Sequence, residues 1–177
     1  MTIRRKHISG VVNRLLTQFR IQDAPVPVED VAQSLGTRVE RTPADDDLSG
    51  FLYQQKNGKL AIIGVNENHH PNRQTFTIAH ELGHFLLHNI EDVHVDRAFR
   101  VKLRSPASSK GLDIDEMEAN LFAAELLMPT SFLTKDLKGV DDIDLVDEKV
   151  ISSLAQRYGV STQAMTFRLN HLGYMRL

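Results

Sequence analysis

Phe76-Thr77-Ile78-Ala79-His80-Glu81-Leu82-Gly83-His84-Phe85-Leu86-Leu87-His88 sets two histidines, four residues apart, and a glutamate inside an otherwise apolar run. Residues 72–88 read as one helix, and Pro71 suits its first turn, where a missing N–H is no loss. At about 100° per residue, Ile78, Ala79, Leu82, Phe85 and Leu86 take one broad side, and Phe76, His80, His84 and Leu87 take the other. Apolar residues nearly all round predict a central, buried helix. Ionisable groups in such a helix need partners, because a buried polar group without one costs about 1–3 kcal/mol.

Two histidines at this spacing lie about 40° apart around the axis and roughly 6 Å apart along it, so their imidazoles converge on one ion. The glutamate after the first histidine is placed to address a water on that ion. This is the physical content of the His-Glu-x-x-His pattern, with His80 and His84 as metal ligands and Glu81 as general base. A third ligand is needed. Leu87 and Ile90 occupy the positions where one known extension of the motif carries glycine and histidine, which removes that solution. The other is a glutamate on a second helix.

Residues 113–128 form that second helix, ended by Pro129. On its wheel Glu118 falls in the middle of the apolar face, between Ile114, Leu121, Phe122 and Leu126. Glu116 and Asn120 project to the other side and read as solvated. Glu125 shares the face of Glu118, about 10 Å further along, and stays a rival. The wheel favours Glu118. His88, one turn beyond His84, reads as an outer donor, a substrate contact or a surface residue favoured by the helix dipole. His69, His70 and His94 fall in predicted loops and read as solvated.

Around this core the chain has 177 residues, 41% hydrophobic and 25% charged, with a net charge of −2 and a pI near 6.4. That suits one soluble domain and gives no global attraction to nucleic acid or anionic membranes. Without cysteine there is no disulfide, and a metal must be held by nitrogen and oxygen. The basic N-terminus precedes no apolar stretch of signal length, and no run approaches the roughly 18–20 apolar residues of a membrane span, so a cytoplasmic protein is expected.

Ile8, Val11, Val12, Leu15, Leu16 and Phe19 predict a first amphipathic helix, stopped at Pro25-Val26-Pro27. A short helix at 28–35 ends at Gly36, and a strand follows at 37–41. The runs 51–54 and 60–65, joined by Lys56-Asn57-Gly58-Lys59, predict a β-hairpin just ahead of the motif helix. Residues 91–112 are irregular, and 105–111 read as a mobile loop. A helical pair covers 149–172, broken at Tyr158-Gly159-Val160-Ser161. The expected fold class is α+β, mostly helical, with a small antiparallel sheet beside the motif helix. The expected division is 1–140 for the main domain and 141–177 for a C-terminal helical segment packed on it.

The motif segment, together with Glu116-Met117-Glu118-Ala119-Asn120-Leu121-Phe122-Ala123-Ala124-Glu125-Leu126-Leu127-Met128-Pro129, closely resembles the ImmA/IrrE family of bacterial metallopeptidases. With the flanking elements in matching order, the resemblance covers most of the chain. It implies a zincin-like domain with thermolysin-like active-site helices, with His80, His84 and Glu118 as zinc ligands and Glu81 as base. It also implies a regulatory protease, of a stress regulon or mobile element, that cleaves or otherwise relieves repression by a helix-turn-helix transcriptional repressor.

The expected reaction is peptide-bond hydrolysis, with Zn²⁺ preferred, although a two-histidine, one-glutamate set also accepts Mn²⁺ or Fe²⁺. Tyr53, His88 and His94 are candidates for an additional oxyanion donor. The strand at 60–65 is a candidate edge for an extended substrate. Residues 154–165 have the cadence of a helix-turn-helix, and Arg157, Arg168, His171 and Arg176 lend positive charge. That supports an alternative, a non-proteolytic anti-repressor or DNA-binding regulator, although the segment lacks a cluster of Lys and Arg.

Overall fold

The computed structural model describes residues 2–55, 60–88, 92–97, 110–138 and 148–174. In chain order the elements are α1 (Arg5–Gln18), α2 (Val28–Ser34), β1 (Thr37–Thr42), β2 (Leu48–Gln54), β3 (Ala61–Asn66), α3 (Pro71–Leu87), β4 (Asp92–Arg97), α4 (Lys110–Leu127), α5 (Thr130–Asp136), α6 (Glu148–Tyr158) and α7 (Thr162–His171). The α+β class stands. The hairpin turn, the loop reading at 105–109 and Arg176 lie outside the described residues. Lys110 and Gly111, read as loop, begin α4, and α5 was not anticipated.

The four strands run in the order β1-β3-β2-β4. β2 pairs antiparallel with β3 and β4, whereas β1 lies parallel to β3. The sheet is therefore mixed, not purely antiparallel. β3 is an interior strand with both ladders filled, so residues 60–65 are not the open edge that the hairpin reading proposed. Among the described residues the edges are β1 and β4. An Asn-Gly turn reports only the local pairing, and the parallel neighbour is a non-local one with no signature of its own in the pattern.

α3 crosses the face of the sheet that carries Leu52 and Ile63, both fully buried. It sits close because β2 presents a glycine there: a Cβ at Gly50 would lie 2.5 Å from Thr77 Cγ2 and 2.5 Å from the Gly64 carbonyl oxygen. On its other side α3 packs against α4 through Gly83, where an added Cβ would meet Phe122 Cδ1 at 3.0 Å and Ala119 Cα at 3.2 Å. The wheel's expectation of a helix buried all round holds, since Ile78, Ala79 and Leu82 are at most 2% exposed. Each such large side chain contributes about 1.5–3 kcal/mol on burial. Gly83→Val is expected to force the two helices apart and to lower stability by about 1–3 kcal/mol, read as a lower denaturant midpoint at unchanged slope.

Ile151, Leu154, Ala155, Met165 and Leu169 of α6 and α7 belong to the same hydrophobic cluster as the residues of α1, α3 and α4. The turn between α6 and α7 uses Gly159 at a φ of 64°, and Ser161 caps α7 by accepting from the Ala164 N–H at 3.1 Å. Arg168 is buried, donating to the Met128 carbonyl at 3.0 Å and to Thr130 Oγ1 at 3.1 Å. Arg157 pairs with Asp23 at 2.8 Å and Asp136 at 3.1 Å. Two of the cations counted towards a nucleic-acid surface, Arg157 and Arg168, are thus engaged within the fold.

Candidate metal centre

α3 starts where His70 caps it, its Nδ1 accepting from the Asn72 N–H at 3.2 Å, with Pro71 in the first turn. Two turns on, the apolar environment on both sides encloses His80, Glu81 and His84, which are 3%, 0% and 1% exposed. The Nε2 atoms of His80 and His84 stand 3.1 Å apart. From α4, Glu116 brings Oε1 to 3.5 Å from His84 Nε2 and Oε2 to 3.8 Å from His80 Nε2. From β4, His94 places Nε2 3.1 Å from Glu116 Oε1, with its ring centroid 3.9 Å from that of His84. One ligand atom from each of His80, His84, His94 and Glu116 lies within 4.8 Å of every other.

The electrostatics favour a cation in that space. Burial, with smaller contributions from neighbouring His80 and His94, pushes the His84 pKa from 6.5 to about 2, against a weaker opposing pull from Glu116. A neutral imidazole carries a lone pair on one ring nitrogen. Neutral imidazoles and one carboxylate converging from three elements match the donor chemistry of a divalent metal.

Glu118 is elsewhere. It is 1% exposed, as its position on the apolar face predicts, but Arg4 claims it. The Arg4 backbone N–H donates to Oε1 at 2.7 Å, Nε reaches both oxygens at 3.1 and 3.0 Å, and Nη2 donates to Oε2. His88 Nε2 adds a contact at 3.2 Å. The hydrogen bond from Arg4, chiefly, holds the Glu118 carboxyl down to about 2. The structure brings Glu116, not Glu118, to His80 and His84. Counting apolar neighbours located a buried carboxylate correctly, but what neutralises it is an arginine 114 residues away in sequence. Glu125 is engaged as well, accepting from Ser9 Oγ at 2.8 Å.

Other readings also shift. His94 belongs to a strand and faces the cluster. The alternation of Val93 and Val95, 50% and 48% exposed, around an inward histidine was the signal for it. Tyr53 pairs with Val93 whereas His94 pairs with Leu52, so Tyr53 lies on the opposite face of the sheet and is not a donor to this site. His69, read as solvated, is buried, with Nε2 3.3 Å from the Asp46 carbonyl oxygen. Asn120, read as solvated like Glu116, has Oδ1 3.1 Å from His80 Nδ1. The shared face of Glu116 and Asn120 borders a cleft of about 940 Å³, lined by His80 and Glu116 together with Phe76, Leu121, Met128 and Phe167.

Residues 32–170 match the peptidase family described as the IrrE N-terminal-like domain. The chain is 32% identical over 122 residues to "uncharacterized immunity region protein 2" of Bacillus phage phi105, a match covering 69% of this chain and 68% of that one. It is 26% identical over 129 residues to metallopeptidase ImmA of Bacillus subtilis (strain 168), covering 71% of this chain and 64% of the relative. Its fold is similar to that of a Mycobacterium tuberculosis transcriptional regulator, with a TM-score of 0.62 at 15% identity, over 93% of this chain and 46% of that one. This chain belongs to the ImmA/IrrE family of metallopeptidases.

Proposed function

We propose that the chain is a zinc-dependent endopeptidase acting on a regulatory protein, a helix-turn-helix transcriptional repressor, to relieve repression. The convergence of His80, His84, His94 and Glu116 beside the buried Glu81 carries this reading. The family membership and the phage immunity-region relative support it. His80, His84 and Glu116 are the ligands of choice, with His94 completing the polar wall; a nitrogen-and-oxygen set of this kind suits Zn²⁺, and also accepts Mn²⁺ or Fe²⁺. When bound, the metal supplies Lewis acidity that makes a water nucleophilic near neutral pH and offsets charge on the scissile carbonyl oxygen.

The remaining chemistry belongs to the chain. Glu81 takes the proton of the attacking water and returns it to the departing amine nitrogen, so one proton is moved twice and none is lost. His94 is placed to donate a hydrogen bond to the carbonyl oxygen as its charge grows. An extended substrate adds to the sheet at β4, the edge next to the centre, and its flanking apolar side chains enter the cleft beside Phe76 and Phe167. No helix among the described residues is long and apolar enough to cross a membrane.

The test uses purified protein and the helix-turn-helix repressor encoded nearest to it. Cleavage is expected to stop on dialysis against 1,10-phenanthroline and to return with one equivalent of zinc, read as repressor fragments on a gel. Loss of operator binding by an intact repressor would establish the non-proteolytic anti-repressor reading instead.

A further inference from the structure

We propose that Arg4, Glu118 and His88 are positioning residues that fix the tautomer of His84 and aim its Nε2 at the metal, which makes the N-terminal segment part of the centre. The inference rests on the reading of His84 as a ligand. Arg4 precedes the family-matched stretch, which begins at residue 32.

The argument is one of donors and acceptors. Glu118 carries a guanidinium on both of its oxygens, so it is a carboxylate with only lone pairs to offer. His88 Nε2, 3.2 Å from Glu118 Oε2, must therefore carry a hydrogen and donate. Asp115 Oδ1 lies 3.6 Å from the same nitrogen, beyond hydrogen-bond distance. His84, as a ligand through Nε2, has its hydrogen on Nδ1, so His88 Nδ1, 3.1 Å from it, faces a donor and accepts. With its hydrogen on Nδ1, His84 turns a lone pair at Nε2 towards His80 and Glu116. A chain of this form, from carboxylate through an outer donor to a ligand, raises ligand basicity and fixes ring orientation.

Arg4 is anchored at its other end too, since Nη2 donates to the Leu87 carbonyl oxygen at 3.1 Å. That contact satisfies a last-turn carbonyl of the helix that bears His84. His88, Asp115 and Glu118 also lie within 4.8 Å of one another, as a second cation site would require. The guanidinium on Glu118 opposes that use, because it already neutralises the carboxylate and would repel a second cation beside it.

The experiment measures zinc affinity by competition with a chromophoric chelator in the wild-type chain, His88→Ala, Glu118→Gln, the double variant and Arg4→Ala. Circular dichroism of each metal-free form checks folding. Each single variant is expected to bind zinc 10–100-fold more weakly, and adding Glu118→Gln to His88→Ala is expected to change nothing further, because the chain is already cut. A merely structural contribution would add. Should Glu118→Gln not fold, Arg4→Ala, at a side chain 48% exposed, gives the same readout. Unchanged affinity in folded variants, or additive losses, would overturn the proposal while leaving the metal reading intact. A wild-type chain that binds no zinc would overturn both.

Discussion

Glu116→Ala is expected to yield folded protein without stoichiometric zinc. Among the described residues, Glu116 is the carboxylate that approaches both motif histidines, at 3.5 and 3.8 Å. Structural zinc sites in small peptides bind with roughly 10–16 kcal/mol at neutral pH, shared among four protein donors. Losing one donor from such a set weakens binding on the order of 10³-fold, since each 1.4 kcal/mol is a factor of ten. Dialysis against buffered zinc followed by metal analysis reads this directly. Glu118→Gln should lose far less. The reverse ranking, with Glu118 essential and Glu116 dispensable, would mean that the ligand on α4 had been assigned to the wrong residue.

The second large effect is expected at Glu81. Glu81→Gln keeps the shape of the side chain and removes its ability to accept a proton. Repressor cleavage should fall about 10²–10⁴-fold, the range associated with a positioned general base, with bound zinc unchanged. Glu81 is 0% exposed, so water cannot readily take over its role from bulk solvent. Cleavage followed by gel densitometry, together with reporter expression in cells, separates two outcomes. Loss of both signals supports proteolysis. Full derepression by the Glu81→Gln protein would show that contact alone carries the function.

Much of this centre was legible before any coordinates. The motif helix, its proline start, its burial and the convergence of His80 with His84 follow from spacing, because a helix is a local structure whose period is fixed. So does the pairing of β2 with β3. The same reasoning favoured Glu118 and read Glu116 as solvated, whereas Glu116 is the one brought to His80 and His84. A wheel ranks positions by the company they keep on one helix, and by that measure a carboxylate neutralised by Arg4 and one that faces a polar crevice exchange places. Only the packing of α1 and β4 against α4 distinguishes them. The interior position of β3 was hidden for a related reason, since its parallel neighbour β1 comes from across β2 in the sequence.

The pairing of β4 with β2 leaves the centre dependent on parity. His94 stands opposite Leu52 and looks inward, while Val93 and Val95 on either side look out. A strand has no intermediate setting between its two faces. One residue of slippage along β2 would exchange imidazole for isopropyl at the wall of the site and leave the helix-borne histidines untouched. The chain's chemistry is thus divided between a part fixed by helical pitch and a part that an odd or even count can switch.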